Sequence, residues 1–300
     1  MNSMKIQQSI DTLQLASKMS EQYYGKPLLI SYSGGKDSDV LLQLAKDAKI
    51  PFEVQHSHTT VDAPETVYHI REVFEELKAE GINCYILHAK YKDGRRKTMW
   101  NLIEKRKMPP TRLVRYCCQQ LKERSTPHRF IALGVRAEES VKRASRSVFE
   151  NRVMKDKLKI QKSFDETQDA YDDAQTHDEV WDCKFIELAK KNKDLLCNPI
   201  IEWTNQDVWS YIKDRGIKYN PMYDKGFNRV GCIGCPMAPR REREKEFALY
   251  PQYKMNYIKA FDRMLSAYTT KKPTWKDAMD VFKWWMGDDT LDGQITWEEQ

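Results

Sequence analysis

Two adjacent glycines between a strand-like and a helix-like segment constrain the fold of this chain more than any other feature. Pro27–Tyr32 is a short apolar run, typical of a buried parallel strand. Ser33–Ser38 follows with the sequence Ser-Gly-Gly-Lys-Asp-Ser, and the apolar pattern that begins at Val40 predicts a helix. Strand, glycine turn and helix together form the first half of a βαβ unit.

The alternation of strand and helix patterns continues along the chain. Residues 4–24 carry apolar positions at helical spacing and predict an opening helix. Further strands are predicted at Phe52–His56, Cys84–Leu87 and Phe130–Val135, and Pro64–Ala79 reads as a helix that begins with proline. The alternation predicts an α/β fold with a doubly wound, mostly parallel sheet that helices cover on both faces.

The glycine turn has the chemistry of an anion site. Two glycines let the backbone turn tightly and direct successive N–H groups toward one point, and the following helix adds the positive end of its dipole. Ser33 and Ser38 supply hydroxyl groups and Lys36 supplies a positive charge. A plain strand-to-helix turn is the alternative. The flanking serines, together with Lys36 and Asp37, favour a phosphate site.

The Ser33–Ser38 segment resembles the signature of the PP-loop ATP pyrophosphatase superfamily. The resemblance implies an adenine nucleotide α-hydrolase-like fold, with an adenine nucleotide (ATP or an adenylylated sulfur compound) at the carboxyl ends of the strands. Lys36 and Asp37 become candidate catalytic residues, and Asp37 could orient the loop or Mg²⁺. The candidate nucleotide-binding residues of this segment are Ser31, Ser33, Gly34, Gly35, Lys36, Asp37 and Ser38.

Two later segments resemble the phosphoadenylyl-sulfate reductase family of this superfamily. Gly134–Ser140, followed by Arg143 and Ala144, is similar to a glycine–arginine segment of that family, and Pro199–Trp209 is similar to a tryptophan-containing one. An arginine just beyond the end of a strand can bind phosphate or sulfate oxygens through its planar fork. Arg136 is therefore a candidate catalytic and nucleotide-binding residue, and Arg143 a candidate nucleotide-binding residue. Ion pairs with the adjacent glutamates are the alternative for these arginines.

The remaining patterns suggest two domains. Helices are expected near residues 97–106, 117–125, 240–266 and 272–286, and from Asn205 onward.

We expect a nucleotide-binding α/β domain over residues 1–215 and a helical C-terminal region over residues 216–300 that packs on it. Within the first domain, residues 151–180 are strongly charged and lack strand signals, so they predict an insertion.

Four of the seven cysteines form two pairs, Cys117-Cys118 and Cys232-Ile233-Gly234-Cys235. Four thiolates brought together can hold zinc or an iron–sulfur cluster. The arrangement resembles that of the adenylyl-sulfate reductase branch, and the resemblance implies that Cys117, Cys118, Cys232 and Cys235 bind a [4Fe–4S] cluster. Zinc and unligated thiols remain alternatives.

The other cysteines suggest no ligand. Cys84 lies in a predicted strand and is expected to be a core residue, and Cys183 and Cys197 have no partner pattern. The N-terminal residues lack the apolar core of a secretory signal, and no apolar run approaches the roughly 20 residues of a membrane span. We therefore expect a cytoplasmic protein with reduced thiols and no membrane partner.

The sequence constrains the reaction less than it constrains the ligand. Reductases of the resembled family carry a nucleophilic cysteine near the C-terminus, whereas this chain has no cysteine after Cys235. Adenylylation with sulfur transfer is the favoured function. A reductase that uses a thiol supplied in trans and a non-catalytic nucleotide-binding or cluster-sensing module are the alternatives.

The candidate partners follow from these functions and from the charge. A sulfur donor or a thioredoxin-like protein would serve the favoured reaction or the reductase alternative. The net charge of +6 is mild and fits an anionic ligand, while local basic runs leave nucleic acid open. Self-association into a homo-oligomer is also open.

Overall fold

The computed structural model describes residues 3–123, 128–151, 194–268 and 275–287. Cys183 and nearly all of the predicted insertion at 151–180 lie outside these ranges. The chain forms two compact units, each built from three segments. The first comprises Met1–His56, Tyr68–Ile86 and Thr126–Tyr223, and the second comprises Ser57–Val67, Leu87–Ser125 and Asp224–Gln300. The second unit thus includes two segments that precede the expected domain boundary at residue 215.

The elements follow one another in the predicted alternating order. The N-terminal half contains α1 Ser3–Tyr24, β1 Leu28–Ser31, α2 Lys36–Asp47, β2 Phe52–Ser57, α3 Pro64–Ala79, β3 Cys84–Leu87, α4 Met99–Arg106, and α5 Tyr116–Cys118 with a π-helical turn at Gln119–Glu123. The C-terminal half contains β4 Phe130–Leu133, a 3₁₀ turn at Ala137–Glu139, α6 Val141–Ala144, β5 Phe149–Asn151, β6 Leu195–Cys197, α7 Asn205–Arg215, α8 Arg240–Leu249, α9 Pro251–Ser266 and α10 Ala278–Met286.

The six strands form one sheet in the order β3-β2-β1-β4-β6-β5. β1 pairs in parallel with β2 and β4, β4 pairs in parallel with β6, and β5 is antiparallel to β6. The predicted α/β fold with a mostly parallel sheet is therefore confirmed. Because successive strands extend from β1 in opposite directions, the carboxyl ends of β1 and β4 form a topological switch point, where ligands bind in sheets of this kind.

The central strands are apolar because both faces of the sheet are buried. Leu28 and Ile30 contribute to the large core cluster on one face, whereas Leu29 packs with Ile131 and Leu196 in a smaller cluster on the other. Complete burial of one such side chain contributes roughly 1.5–3 kcal/mol. The central strands are thus a stable base for the loops at their carboxyl ends.

Several element boundaries differ from the predictions. α2 begins at Lys36, earlier than the predicted Val40, so three residues of the glycine motif lie in its first turn. β4 ends at Leu133, before the predicted Val135, and the short strands β5 and β6 were not predicted. The single helix expected over residues 240–266 is two helices, because Pro251 starts a new one. No helix among the described residues is long and apolar enough to span a membrane.

Candidate functional site

The turn between β1 and α2 depends on the glycine pair. Gly34 has φ +74°, a left-handed conformation that favours glycine, and Gly35 is extended at the helix N-cap. The Ser38 hydroxyl donates to the Gly35 carbonyl at 2.7 Å and accepts from the Gly35 N–H at 3.1 Å. Ser38 is buried and braces the turn, while Ser33 is exposed, with its hydroxyl 3.2 Å from that of Ser38.

The amides of the turn give this end of α2 the character of an anion site. The amides of Ser38 and Asp39 donate to Gly35, and the Lys36 amide donates to the Tyr223 hydroxyl at 3.0 Å. Among the described residues, the amides of Gly34 and Asp37 have no hydrogen-bond acceptor. An anion placed at the start of α2 would accept from such N–H groups and interact favourably with the helix dipole.

One carboxylate brings together the two candidate cations of the site. Asp37 accepts from Lys36 Nζ at 3.0 Å through one oxygen and from Arg136 Nε at 2.5 Å through the other. Lys36 and Arg136 are both buried, at 5% and 4% exposure, although they are 100 positions apart in sequence. Arg136 also forms an ion pair with Glu138 at 2.8 Å. The group therefore holds two buried cations and two carboxylates, those of Asp37 and of the exposed Glu138, beside the N-terminus of α2.

Ser31, Arg143 and Arg146 belong to the same unit as the turn. Ser31 is the last residue of β1 and is half-buried. Arg143 forms an ion pair with Glu139, and Arg146 forms one with Glu150 at 2.6 Å. Ion pairing with an adjacent glutamate, the alternative to nucleotide binding, thus describes Arg143 in this structure. It describes Arg136 only in part, because Arg136 also contacts Asp37.

Three long-range contacts around the turn were not anticipated. The Asn220 side chain, which is fully buried, donates to the Gly34 carbonyl at 2.7 Å, and Tyr223 accepts from the Lys36 amide. Behind the turn, Asp39 accepts from the Tyr32 hydroxyl at 2.5 Å and lies 3.0 Å from His69 Nε2.

Burial raises the pKa of Asp39, and its second carboxylate oxygen has no partner among the described residues. An Asn-Pro turn at Asn220 is the only sequence signal for any of these contacts.

Gly134 allows the end of β4 to approach the turn closely. A Cβ atom at this position would lie 2.8 Å from the Asp37 carbonyl oxygen and 3.2 Å from the Ser38 nitrogen. Real Cβ atoms do not approach backbone atoms so closely, and backbone cannot move aside as a flexible side chain can. The lack of space for a Cβ atom therefore explains why the Gly134–Ser140 segment begins with glycine.

We expect Gly134→Ala to displace the turn, lowering the free energy of unfolding by about 1–3 kcal/mol and weakening ATP binding at least tenfold. Denaturant unfolding and calorimetric titration with ATP measure the two effects. Gly231→Ala is the matched control, because its Cβ would meet no atom within 4 Å. Equal stability and ATP affinity in the two variants would contradict the steric argument.

Both cysteine pairs belong to the second unit. Cys117 and Cys118 form the helical turn α5. The Cys232–Cys235 turn is joined to residues 61–62 by a bridge between Asp62 and Cys232 and by the Ile233 amide, which donates to the Val61 carbonyl at 2.8 Å. Within the turn the Cys235 amide donates to the Cys232 carbonyl at 3.2 Å. Two segments distant in sequence therefore position this pair.

Electrostatic contacts connect the two pairs. The thiols of Cys117, Cys232 and Cys235 all act on buried Tyr257, and burial is the main reason that the pKa of Tyr257 is raised. Lys122 interacts with Cys232 most strongly and with Cys118 and Cys235 to a lesser extent, which raises its pKa.

The thiols differ in their surroundings. Contact with the Cys117 thiol lowers the pKa of Cys118, and Arg115 contributes by donating to the Cys118 sulfur at 3.4 Å. Burial raises the pKa of Cys232 to about 11.

A buried arginine adds positive charge near this group. Arg243 is 5% exposed, lies over the Trp285 ring at 4.0 Å and donates to the Trp285 carbonyl at 2.9 Å. Burial lowers the pKa of Arg243 to about 10, and Cys235 interacts with it electrostatically. Its Nε and Nη2 atoms have no hydrogen-bond partner within the described part of the chain. The positive charge of Arg243 would thus offset part of the cost of burying negative charge near Cys235.

The four thiols have the right chemistry for a cluster, but their side chains are not arranged around a common metal site in this structure. No group of three or more histidine, cysteine, aspartate or glutamate side chains in the described ranges is placed to hold a metal ion. Four thiols with nearby cations fit the donor set of an iron–sulfur cluster or a tetrahedral zinc site. Binding either group would require the cysteine side chains to turn toward a common centre.

Several known proteins are similar to this chain. An uncharacterized protein of Methanocaldococcus jannaschii is 27% identical over 240 residues, which cover 78% of this chain and 47% of that protein. Sulfate adenylyltransferase subunit 2 of Maricaulis maris is 26% identical over 206 residues, which cover 67% of this chain and 60% of that protein. The matches thus span about half to three-fifths of the length of these relatives.

A solved structure and a family model complete the comparison. The crystal structure of phosphoadenylyl-sulfate reductase from Candida auris in complex with phosphate aligns with a TM-score of 0.42 and 16% identity, covering 74% of this chain and 93% of that one. The model of the phosphoadenosine phosphosulfate reductase domain matches residues 27–238. That range includes the β1–α2 turn, Arg136 and all four paired cysteines. The chain therefore belongs to the phosphoadenosine phosphosulfate reductase domain family.

Proposed function

We propose that this chain is a PP-loop enzyme that binds ATP or an adenylylated sulfur compound at Ser33–Ser38 and acts in adenylylation linked to sulfur transfer. The observation that carries the proposal is the buried group in which Asp37 joins Lys36 and Arg136 beside the amides that start α2. Buried cations at fixed positions are well suited to contact phosphate oxygens in addition to their carboxylate partners.

In the proposed binding mode, phosphate oxygens accept from the Gly34 and Asp37 amides, which have no acceptor among the described residues. Lys36 and Arg136 then contact the phosphates directly. Asp37 keeps the two cations in place, and its carboxylate would be a ligand for Mg²⁺, which prefers oxygen ligands. Ser38 stays engaged with Gly35 and maintains the shape of the turn.

The proposed reaction is transfer of an adenylyl group. A nucleophilic oxygen of the acceptor attacks the α-phosphorus of ATP, the bond to the bridging oxygen breaks, and pyrophosphate leaves with the negative charge that develops. Lys36 and Arg136 stabilise that charge because they lie at fixed positions in a buried site. The adenylylated acceptor is then the electrophile that a sulfur donor attacks, with release of AMP.

We further propose that Cys117, Cys118, Cys232 and Cys235 hold a [4Fe–4S] cluster, with zinc as the alternative. The support is a set of four thiols within one compact unit and the positive charge of Lys122, Arg115 and Arg243 around them. A bound cluster would supply fixed charge that tunes the local electrostatics without exchanging electrons.

The function is tested with anaerobically purified protein by measuring AMP and pyrophosphate formed from ATP, and ATP–pyrophosphate exchange. The proposal expects pyrophosphate release and exchange that depend on Mg²⁺. Sulfite release from adenylyl sulfate in the presence of thioredoxin would support the reductase alternative instead. Nucleotide binding with neither reaction would support a non-catalytic module.

A further inference from the structure

The positive charge of the chain is concentrated in one short segment of the second unit. Residues 90–115 contain ten lysines and arginines but only two acidic residues, a net charge of +8. The whole chain carries +6, so all other residues together are net negative. The basic residues of the segment are Lys90, Lys92, Arg95, Arg96, Lys97, Lys105, Arg106, Lys107, Arg112 and Arg115.

A turn and a helix end bring many of these charges together. The turn is closed by the Tyr91 amide, which donates to the Arg95 carbonyl at 2.8 Å, and by an antiparallel bridge between Lys90 and Arg96. Three of the cations lie close to the Tyr91 ring. Its centroid lies 4.5 Å from Lys105 Nζ in the last turn of α4, 5.4 Å from Lys97 Nζ and 6.0 Å from the Arg95 guanidinium carbon.

Few carboxylates offset this charge. Asp93 pairs with Arg95 at 2.8 Å, and Glu104 contacts Arg263 at 3.5 Å, outside the segment. In the described ranges, Lys92, Lys105 and Arg106 form no ion pair. The C-terminal end of the α4 dipole accounts for the cations of its last turn but not for those of the 91–95 turn. The mutual repulsion of these cations would be relieved by a polyanion.

We propose that residues 90–97 and 105–107, which we call the basic surface, bind the phosphodiester backbone of a nucleic acid. A nucleic-acid strand carries one charge about every 3.4 Å, so a single strand can contact the cations of the turn and of the helix end together. Arginine forks fit phosphate oxygens, and the Tyr91 ring holds the cations within a few ångströms of one another. The basic surface belongs to the second unit, whereas Ser33–Ser38 belongs to the first. The proposal therefore does not depend on ATP binding.

The test is fluorescence anisotropy with labelled single-stranded DNA, single-stranded RNA and duplex DNA, each in two unrelated mixed sequences, over a series of salt concentrations. We expect Lys92→Gln/Lys105→Gln/Arg106→Gln to weaken binding at least tenfold at low salt. The slope of log affinity against log salt for single strands should fall by about 2, because each lost phosphate contact removes about 0.7. The loss should be similar for unrelated sequences, since backbone contacts carry no base information.

The matched control is Lys18→Gln/Arg71→Gln/Lys213→Gln, which removes the same charge from exposed positions of the first unit. Both variants should retain the wild-type melting temperature and the wild-type rate of AMP formation from ATP. A control that loses as much affinity as the basic-surface variant would overturn the proposal. Wild-type protein that binds none of the three probes would overturn it as well.

Leu113 and Val114, which follow the basic surface in sequence, are exposed, so an anionic membrane is the competing partner. Flotation with mixed phosphatidylglycerol–phosphatidylcholine vesicles tests it. If the wild-type protein bound these vesicles but no nucleic acid, and the basic-surface variant did not bind the vesicles, an anionic membrane would take the place of nucleic acid as the partner.

Discussion

Lys36→Ala is expected to lower the rate of pyrophosphate release from ATP by a factor of about 100–1,000, the usual cost of removing one preorganised group that stabilises developing charge. The lysine is buried and contacts Asp37, so its charge lies at a fixed position beside the start of α2. Alanine would leave Asp37 paired with Arg136 alone, and one positive charge would be missing where pyrophosphate leaves. ATP–pyrophosphate exchange measures this loss.

Lys46→Ala is the matched control, because Lys46 belongs to the same helix and forms a partly exposed ion pair with Glu80 at 2.7 Å. Such pairs contribute less than about 1 kcal/mol to stability, so exchange should remain close to wild type. If the Lys36 variant kept wild-type exchange and ATP affinity, the assignment of the phosphate site to Ser33–Ser38 would be wrong.

Cys235→Ser is expected to abolish binding of the proposed [4Fe–4S] cluster almost completely. Serine lacks the soft thiolate that iron–sulfur clusters require, and loss of one of four ligands opens the site. When both proteins are purified without oxygen, the variant should lack the iron, the acid-labile sulfide and the broad visible absorption that are expected of the wild-type protein. Cys84→Ser is the control, since Cys84 is a half-buried residue of β3 and should leave metal content unchanged.

The same measurement separates the two metal alternatives. If the wild-type protein contained zinc but neither iron nor sulfide, the four cysteines would form a structural zinc site instead of a cluster site. A wild-type protein without any metal, even after anaerobic reconstitution with iron and sulfide, would leave the four cysteines as unligated thiols and refute both.

The fold could be predicted wherever a local pattern was long enough. α3 occupies the predicted Pro64–Ala79, and α7 begins at the predicted Asn205, where Thr204 caps it by accepting from the Asp207 amide at 3.1 Å. β5 and β6 were missed because three residues each are too few to establish an alternating pattern. The start of α2 was placed too late because apolar spacing was used, whereas the cap formed by Gly35 and Ser38 determines where the helix begins.

The site could be predicted only in part, for a related reason. The glycine motif identified the turn, but contacts between distant residues leave no local signal. The Asn-Pro pair at Asn220 indicates a local turn but not that Asn220 or Tyr223 bonds to the glycine motif, and the close approach of Gly134 to Asp37 depends on strand order. The side-chain arrangement of the cysteines likewise depends on how three separate segments meet.

The division of the second unit into three segments has a consequence for the order of assembly. Its parts are interrupted by most of the sheet, so many of its contacts join residues far apart in sequence, and such topologies fold slowly. On the ribosome, Cys117 and Cys118 emerge long before Cys232 and Cys235. A group that needs all four thiols can enter only when synthesis is well advanced, and until then the first pair is exposed to oxidation.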